Sequence, residues 1–136
     1  MSHKKKLFPL FHKTFTGSVE LTESARFYIE FADGERLWGF SSQALTDFVL
    51  EENPEHHTKR TLPPHQLTLT FPLSTVILRG WRLELLVPPL VNWRVARIHA
   101  EKHLGALVIE EAWVSEIQVT PLLAKTTRET ISKPQA

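Results

Sequence analysis

Phe27-Tyr28-Ile29-Glu30-Phe31-Ala32-Asp33-Gly34-Glu35-Arg36-Leu37-Trp38-Gly39-Phe40 is the stretch on which the fold class turns. Its large apolar residues recur every second position. Phe27, Ile29 and Phe31 fall on one face of an extended chain, and Tyr28 and Glu30 on the other. Asp33-Gly34 supplies the left-handed backbone positions that a tight turn needs. From Arg36 to Phe40 the extended pattern resumes. The stretch therefore reads as a β-hairpin.

Working outward, Gln66 to Phe71 alternates Leu67, Leu69 and Phe71 against Thr68 and Thr70. After Pro72 a further strand runs from Thr75 to Arg79, and Gly80 ends or bends it. Between these strands and the hairpin, Ser41 to Glu52 allows two readings. Leu45, Phe48 and Val49 have helical spacing, whereas Phe48-Val49-Leu50 is equally a buried strand. Asn53 to His65, with three His and three Pro, reads as an exposed loop. Arg82 to Asn92 is either a strand ending near Val87 or a short kinked helix, because Pro88-Pro89 cannot occupy a helix interior. Trp93 to Ala100 and Val108 to Val119 read as a final pair of strands, with Gly105 in the connection. The expectation is a mostly β fold, all-β or α+β. It would be a small bent antiparallel sheet or barrel with one or two short helices and an added C-terminal β-hairpin. Residues 17–122 form the single domain in this reading. Residues 1–16 are a flexible N-terminal arm and 123–136 a flexible C-terminal tail.

Composition agrees with one globular domain. The chain has 136 residues, 42% hydrophobic and 23% charged, with a formal net charge of +1. The even balance makes no whole-chain case for a nucleic-acid or lipid surface. The absence of cysteine removes disulfides, thiolate metal sites and thiol nucleophiles, and fits a cytoplasmic setting. No apolar run reaches the ~20 residues that span a bilayer, so no membrane is expected. Lys4-Lys5-Lys6 followed by Leu7-Phe8-Pro9-Leu10-Phe11 reads as a tail, because no small-residue cleavage site follows it.

Three groups of residues carry candidate chemistry. Arg79, Arg82, Arg94 and Arg97, with Trp81 and Trp93, offer phosphate forks and stacking platforms for a nucleic acid. The plainer reading places the Trp rings in the core and the Arg residues on the outer faces of strands. His99, Glu101 and His103 would project from one face of a strand as a two-His, one-carboxylate metal site. Their plainer reading is a solvated strand end, and His56-His57 likewise reads as exposed loop. Glu110 and Glu111 are adjacent and face opposite sides of a strand, so they do not pair as acid and base. Ser41-Ser42 lacks the context of a nucleophile elbow, and no glycine-rich phosphate loop is present. No cofactor is expected.

Asp33-Gly34-Glu35-Arg36-Leu37-Trp38-Gly39 and Val76-Ile77-Leu78-Arg79-Gly80-Trp81-Arg82-Leu83 resemble the two short motifs of the Sm-like family. The interval from Gly39 to Gly80 suits that family too. Ser41, Ser42 and Asp47 stand where the family carries Asp and Asn, and Trp81 stands where it carries Asp or Asn. The resemblance covers residues 25–87. It implies a five-stranded bent barrel, ring assembly, and RNA binding through Arg79, Gly80, Trp81, Arg82 and Asp47. The leading expectation is thus a non-enzymatic binding module, self-associating, with RNA or a protein as partner. One alternative is a protein-interaction or scaffold module with no nucleic-acid role. The other is a metal-dependent enzyme at His99, Glu101 and His103.

Overall fold

The computed structural model describes residues 15–16, 18–101 and 111–121. Their strands are β1 (Phe15–Thr16), β2 (Val19–Leu21), β3 (Tyr28–Ala32), β4 (Leu37–Ser41) and β5 (Asp47–Glu52). Then come β6 (His65–Phe71), β7 (Ser74–Trp81), the short helix α1 (Val87–Val91), β8 (Val95–His99) and β9 (Trp113–Pro121). The protein is mostly β, as its alternation requires. The strands form two sheets, in the orders β1-β2-β8-β3-β4 and β5-β6-β7-β9, and no closed barrel.

The central hairpin is built as its residues dictate. β3 and β4 pair antiparallel, with Ile29 opposite Phe40 and Phe31 opposite Trp38. At the turn Gly34 has φ +98. The Asp33 Oδ1 accepts the amides of Glu35 and Arg36 at 2.9 and 2.8 Å, which closes the loop. The second hairpin pairs Leu67 with Leu78 and Leu69 with Val76. All four of these side chains are buried.

The two sheets meet through these inward faces. Ile29, Phe31 and Ile98 of the first sheet share one core with Leu67, Leu69, Phe71, Val76, Leu78 and Val114 of the second. On one side of the sandwich the Phe71 ring stacks on Phe40 at 4.4 Å and meets Phe31 edge-on at 6.4 Å. On the other side the Ser18 hydroxyl donates to the Val114 carbonyl at 3.1 Å and accepts the Val114 amide at 2.9 Å. β4 and β5 therefore flank one side, and β1 and β9 the other.

Several expectations need correction. The last two strands form no hairpin. β8 enters the first sheet between β2 and β3, while β9 pairs with β7 in the second. The sheet is not wholly antiparallel either, because β3 and β8 run parallel. Alternation marks which residues face a core but is silent on which sheet receives them. Phe15 and Thr16, expected within the arm, pair with β2. Between Ser41 and Glu52 a 3-10 turn at Ser42–Ala44 leads into strand β5. Arg82 to Asn92 is helical. A 3-10 turn at Leu83–Leu86 runs into α1, whose prolines lie in the first turn, where a missing N–H costs nothing. The remainder of the expected arm and the tail from 123 lie outside the described residues, as does the Gly105 connection. Among the described residues no helix is long and apolar enough to cross a membrane.

Gly80 sits at the irregularity in the β7–β9 ladder, where Arg79 faces Glu116 but Gly80 faces Val114. A Cβ on Gly80 would fall on the Trp113 carbonyl, whereas one on Gly39 meets nothing within 4 Å. Gly80→Ala is therefore expected to cost about 2–3 kcal/mol of stability. Gly39→Ala should stay within about 0.5 kcal/mol of the parent. Urea denaturation of the two variants measures the contrast. At Asp33 burial raises the carboxyl pKa, but the Arg36 and Glu35 amides and the Arg36 charge outweigh it, so the net lies below 3.8. A depressed folded value stabilises the protein above the unfolded value, and that contribution is lost as pH falls through the folded one. Asp33→Asn should therefore reduce the acid-side loss of stability below about pH 4, read from melts at stepped pH.

Candidate functional site

The acid-flanked stretch Asp47-Phe48-Val49-Leu50-Glu51-Glu52 forms β5, the edge strand of the second sheet. Asp47 pairs with Thr70 and Glu52 with His65, so the whole strand lies along β6. Phe48 and Leu50 are opposite the core residues Leu69 and Leu67 and share their face. Yet Phe48, Val49 and Leu50 are 38%, 48% and 37% exposed. Sequence reading allowed Phe48-Val49-Leu50 to be a buried strand, and the structure corrects this. All six residues of β5 are exposed. The inward-facing strip of the second sheet thus runs out past the cover of the first.

The backbone of β5 is open as well. The Asn53 amide donates to the Pro64 carbonyl at 2.8 Å. Antiparallel alternation then turns the hydrogen-bonding groups of Glu51, Val49 and Asp47 toward β6. Those of Phe48, Leu50 and Glu52 point away, where among the described residues the sheet has no further strand. At one end Asn53 pins the strand. It is buried, and its Nδ2 donates to the Pro63 carbonyl at 2.8 Å. Glu52 stands 3.2 Å from the His57 Nε2. His56 is tied into the loop through the Leu62 carbonyl at 2.8 Å.

The residues singled out for nucleic acid are held differently. Arg79 is on the outer face of the second sheet, with its side chain 20% exposed. Its Nε donates to Gln66 Oε1 at 2.9 Å and its Nη1 to Glu116 Oε2 at 3.3 Å. Gln66 Nε2 in turn donates to Glu51 Oε2 at 3.2 Å. This makes a polar row across all four strands. Gly80 points inward against β9. Trp81 is half-buried opposite Trp113. Arg82 is exposed and donates to Glu84 Oε2 at 3.0 Å. Burial pushes the Glu84 pKa up. Its own amide, the Arg82 hydrogen bond and the charges of His65 and Arg82 pull it down further, leaving it below the ordinary value. Asp47 is not brought to Arg79. It is in the row of Thr70 and Thr75, four residues or about 13 Å along the strands from Arg79.

Arg97 is the opposite case. Its side chain is 2% exposed, with Nη2 and Nε at 2.7 and 2.8 Å from Glu30 Oε1. Its register partner on β2 is Glu20, also fully buried. Of the metal candidates, His99 ends β8 and Glu101 is exposed beyond it. The Glu101 carbonyl accepts the Trp113 indole N–H at 2.9 Å. His103 lies outside the described residues, as does Glu110. Among the described residues no three His, Cys, Asp or Glu gather in a metal-holding arrangement.

Sequence reasoning missed β5 as an exposed edge. The available signal was the acids on both sides of the apolar triplet. A strand buried on both faces would not tolerate them, and an edge strand uses them against indiscriminate pairing. The two arginines should separate on truncation. Arg79→Ala should cost no more than about 1 kcal/mol, being a partly exposed pair. Arg97→Ala should cost about 3–5 kcal/mol, since it breaks an ion pair whose cation is buried, on the strand position that faces the fully buried Glu20. Thermal and urea melts of both variants check the difference. The chain matches no family model, no curated protein and no solved structure, so the reading of these residues rests on their own geometry.

Proposed function

We propose that the protein is a non-enzymatic interaction module whose β5 edge takes an extended polypeptide segment as an added strand. The observation that carries this reading is the combination at Phe48, Val49 and Leu50. Their side chains are exposed, and among the described residues the outward amides and carbonyls of Phe48 and Leu50 have no strand to pair with. Strand addition draws affinity from main-chain hydrogen bonds and selectivity from alternate side chains. Here the inward pair Phe48 and Leu50 would receive two apolar residues of the segment, continuing the core face of Leu67 and Leu69. Asp47, Glu51 and Glu52 select for a segment with basic ends.

The Sm-like RNA-binding reading draws less support. Arg79 is spanned by Gln66 and Glu116, Gly80 faces the sheet interior, and Asp47 stands a full row-set away. Freeing Arg79 for a phosphate would break both of its bonds. The metal-enzyme reading has only His99 and Glu101 among the described residues, and Glu101 is fixed through its backbone rather than its carboxylate.

A capped peptide of alternating Val and Thr with two Lys at each end is the probe. Titrated into the protein, it should slow amide exchange at Phe48, Leu50 and Glu52 while leaving the Arg79 amide unchanged. Leu50→Pro removes an outward donor without touching the β6 ladder, and should weaken binding about tenfold, one hydrogen bond's worth. Glu51→Lys with Glu52→Lys, which leaves the backbone intact, should weaken it comparably. Exchange at β5 that is indifferent to saturating peptide would sink the proposal.

A further inference from the structure

We infer that the segment β5 receives is residues 4–13 of a second copy of this chain, so that copies join head to tail. The inference rests on the strand-addition reading of β5 and supplies its partner.

Charge and apolar patterning argue for this occupant. β5 is acid, apolar triplet, acid: Asp47, then Phe48-Val49-Leu50, then Glu51-Glu52. Residues 4–13 are the complement: Lys4-Lys5-Lys6, then Leu7-Phe8-Pro9-Leu10-Phe11, then His12-Lys13. Laid antiparallel, the lysine end of the segment comes to the Glu51-Glu52 end of β5, and its His12-Lys13 end runs past the Asp47 end. The alternative of β5 against β5 gathers three carboxylates from each copy on one ladder, which like-charge repulsion disfavours.

The single proline fixes the register. Pro9 has no N–H, so it must occupy a position whose backbone groups turn away from β5. Phe8 and Leu10 then turn theirs toward it. Pairing Phe8 with Leu50 and Leu10 with Phe48 matches the β5 residues whose groups point outward. It also places Lys6 opposite Glu52, and it sets Phe8 and Leu10 on the inward face beside the exposed Phe48 and Leu50.

Reach decides that the donor is another molecule. The chain enters the fold at Phe15 on β1, the strand of the first sheet farthest from β4. β5 lies on the β4 side, one short turn after it. Four strand spacings of about 4.8 Å separate β1 from β4, roughly 19 Å. Crossing that width takes about six extended residues. Residues 4–13 start immediately before β1, so they cannot cross and also lie along their own β5. The point where the donor segment joins the fold, Phe15 on β1, and the acceptor β5 are therefore on opposite sides of the described sheets. Such a contact is heterologous and propagates into a ring or an open chain.

The test is complementation between two defective proteins, followed by light scattering on a sizing column. The full chain should give assemblies larger than a dimer that grow with concentration and shrink at high salt. The acceptor variant Leu50→Pro alone should need about tenfold more protein to associate, and so be monomeric where the full chain has just assembled, as should a donor variant in which Lys4, Lys5, Lys6, Phe8 and Leu10 are all changed to Glu. Mixed one to one, the first still has an intact donor and the second an intact acceptor. They should form a heterodimer and nothing larger. Glu51→Lys with Glu52→Lys replaces Leu50→Pro if that variant loses its fold by circular dichroism, with the same outcome expected. A full chain that stays monomeric at high concentration overturns the inference, as does a mixture that does not associate. If the Val/Thr peptide still protects Phe48 and Leu50 in that case, strand addition at β5 survives and only its partner is wrong. If it does not, both fall.

Discussion

The seating of the Phe71 ring against Phe40 and Phe31 determines most of what the surface of this protein offers. These three rings are the junction of the two sheets on the β4 side. Phe71 ends β6, so the contact sets how far the second sheet extends past the first. One strand, β5, projects beyond it. Its inward residues Phe48 and Leu50 sit beside Leu69 and Leu67, which are fully buried, and yet are more than a third exposed themselves. The apolar face does not stop where its cover stops. A ring stack inside the core thereby leaves an open edge outside it.

The strands of the two hairpins were legible because half-buried ribbons advertise themselves every second residue, whereas the two- and three-residue strands β1 and β2 are too short to show a rhythm. The hairpins 28–41 and 65–81 follow from that rhythm and from the Asp33-Gly34 turn. What was not legible was assembly. Val95-Ala96-Arg97-Ile98 looks like any buried strand, and nothing local says that it slots between β2 and β3, parallel to one and antiparallel to the other. The helical reading of 83–91 was obscured for a different reason. Two left-handed residues bracket this segment, Arg82 at φ 55 and Trp93 at φ 58, where a glycine would ordinarily signal the change of direction. Backbone amides hold Trp93 in place at the helix end, its own to the Leu90 carbonyl and that of Arg94 to the Pro89 carbonyl. Longer-range bonds add to these, from the Arg26 amide to the Trp93 carbonyl and from the Thr22 amide to the Arg94 carbonyl, and the sequence gives no sign of either.

The candidate site shows the same division. Sequence reasoning gave Arg79 and Arg97 the same standing, since both are arginines on strands. Alternation places each on an outward face, but it does not report what else lies there. Arg97 falls between register partners Glu20 and Glu30 and is withdrawn from solvent, where its charge serves the fold. Arg79 falls between Gln66 and Glu116, and through Gln66 is linked to Glu51 on the edge strand. That row keeps the outer face of the second sheet polar right up to β5. Only cross-strand register, invisible in the chain, separates a core cation from a surface one.

An exposed edge with Phe48, Val49 and Leu50 is a hazard unless its partners are restricted. Unpaired amides and carbonyls accept any extended chain, and apolar side chains strengthen every such encounter. The carboxylates at both ends of β5 convert this indiscriminate edge into a selective one. Against a neutral or acidic strand they add repulsion, and a basic-ended strand turns the same groups into attraction. Self-pairing of β5 is suppressed by the same device, since two copies of the strand would bring their carboxylates together. A wholly protective edge would carry lysine or proline within the strand and few apolar residues. This one keeps its apolar triplet and confines its charges to the ends, so an acidic strand meets repulsion there and a basic-ended one meets attraction.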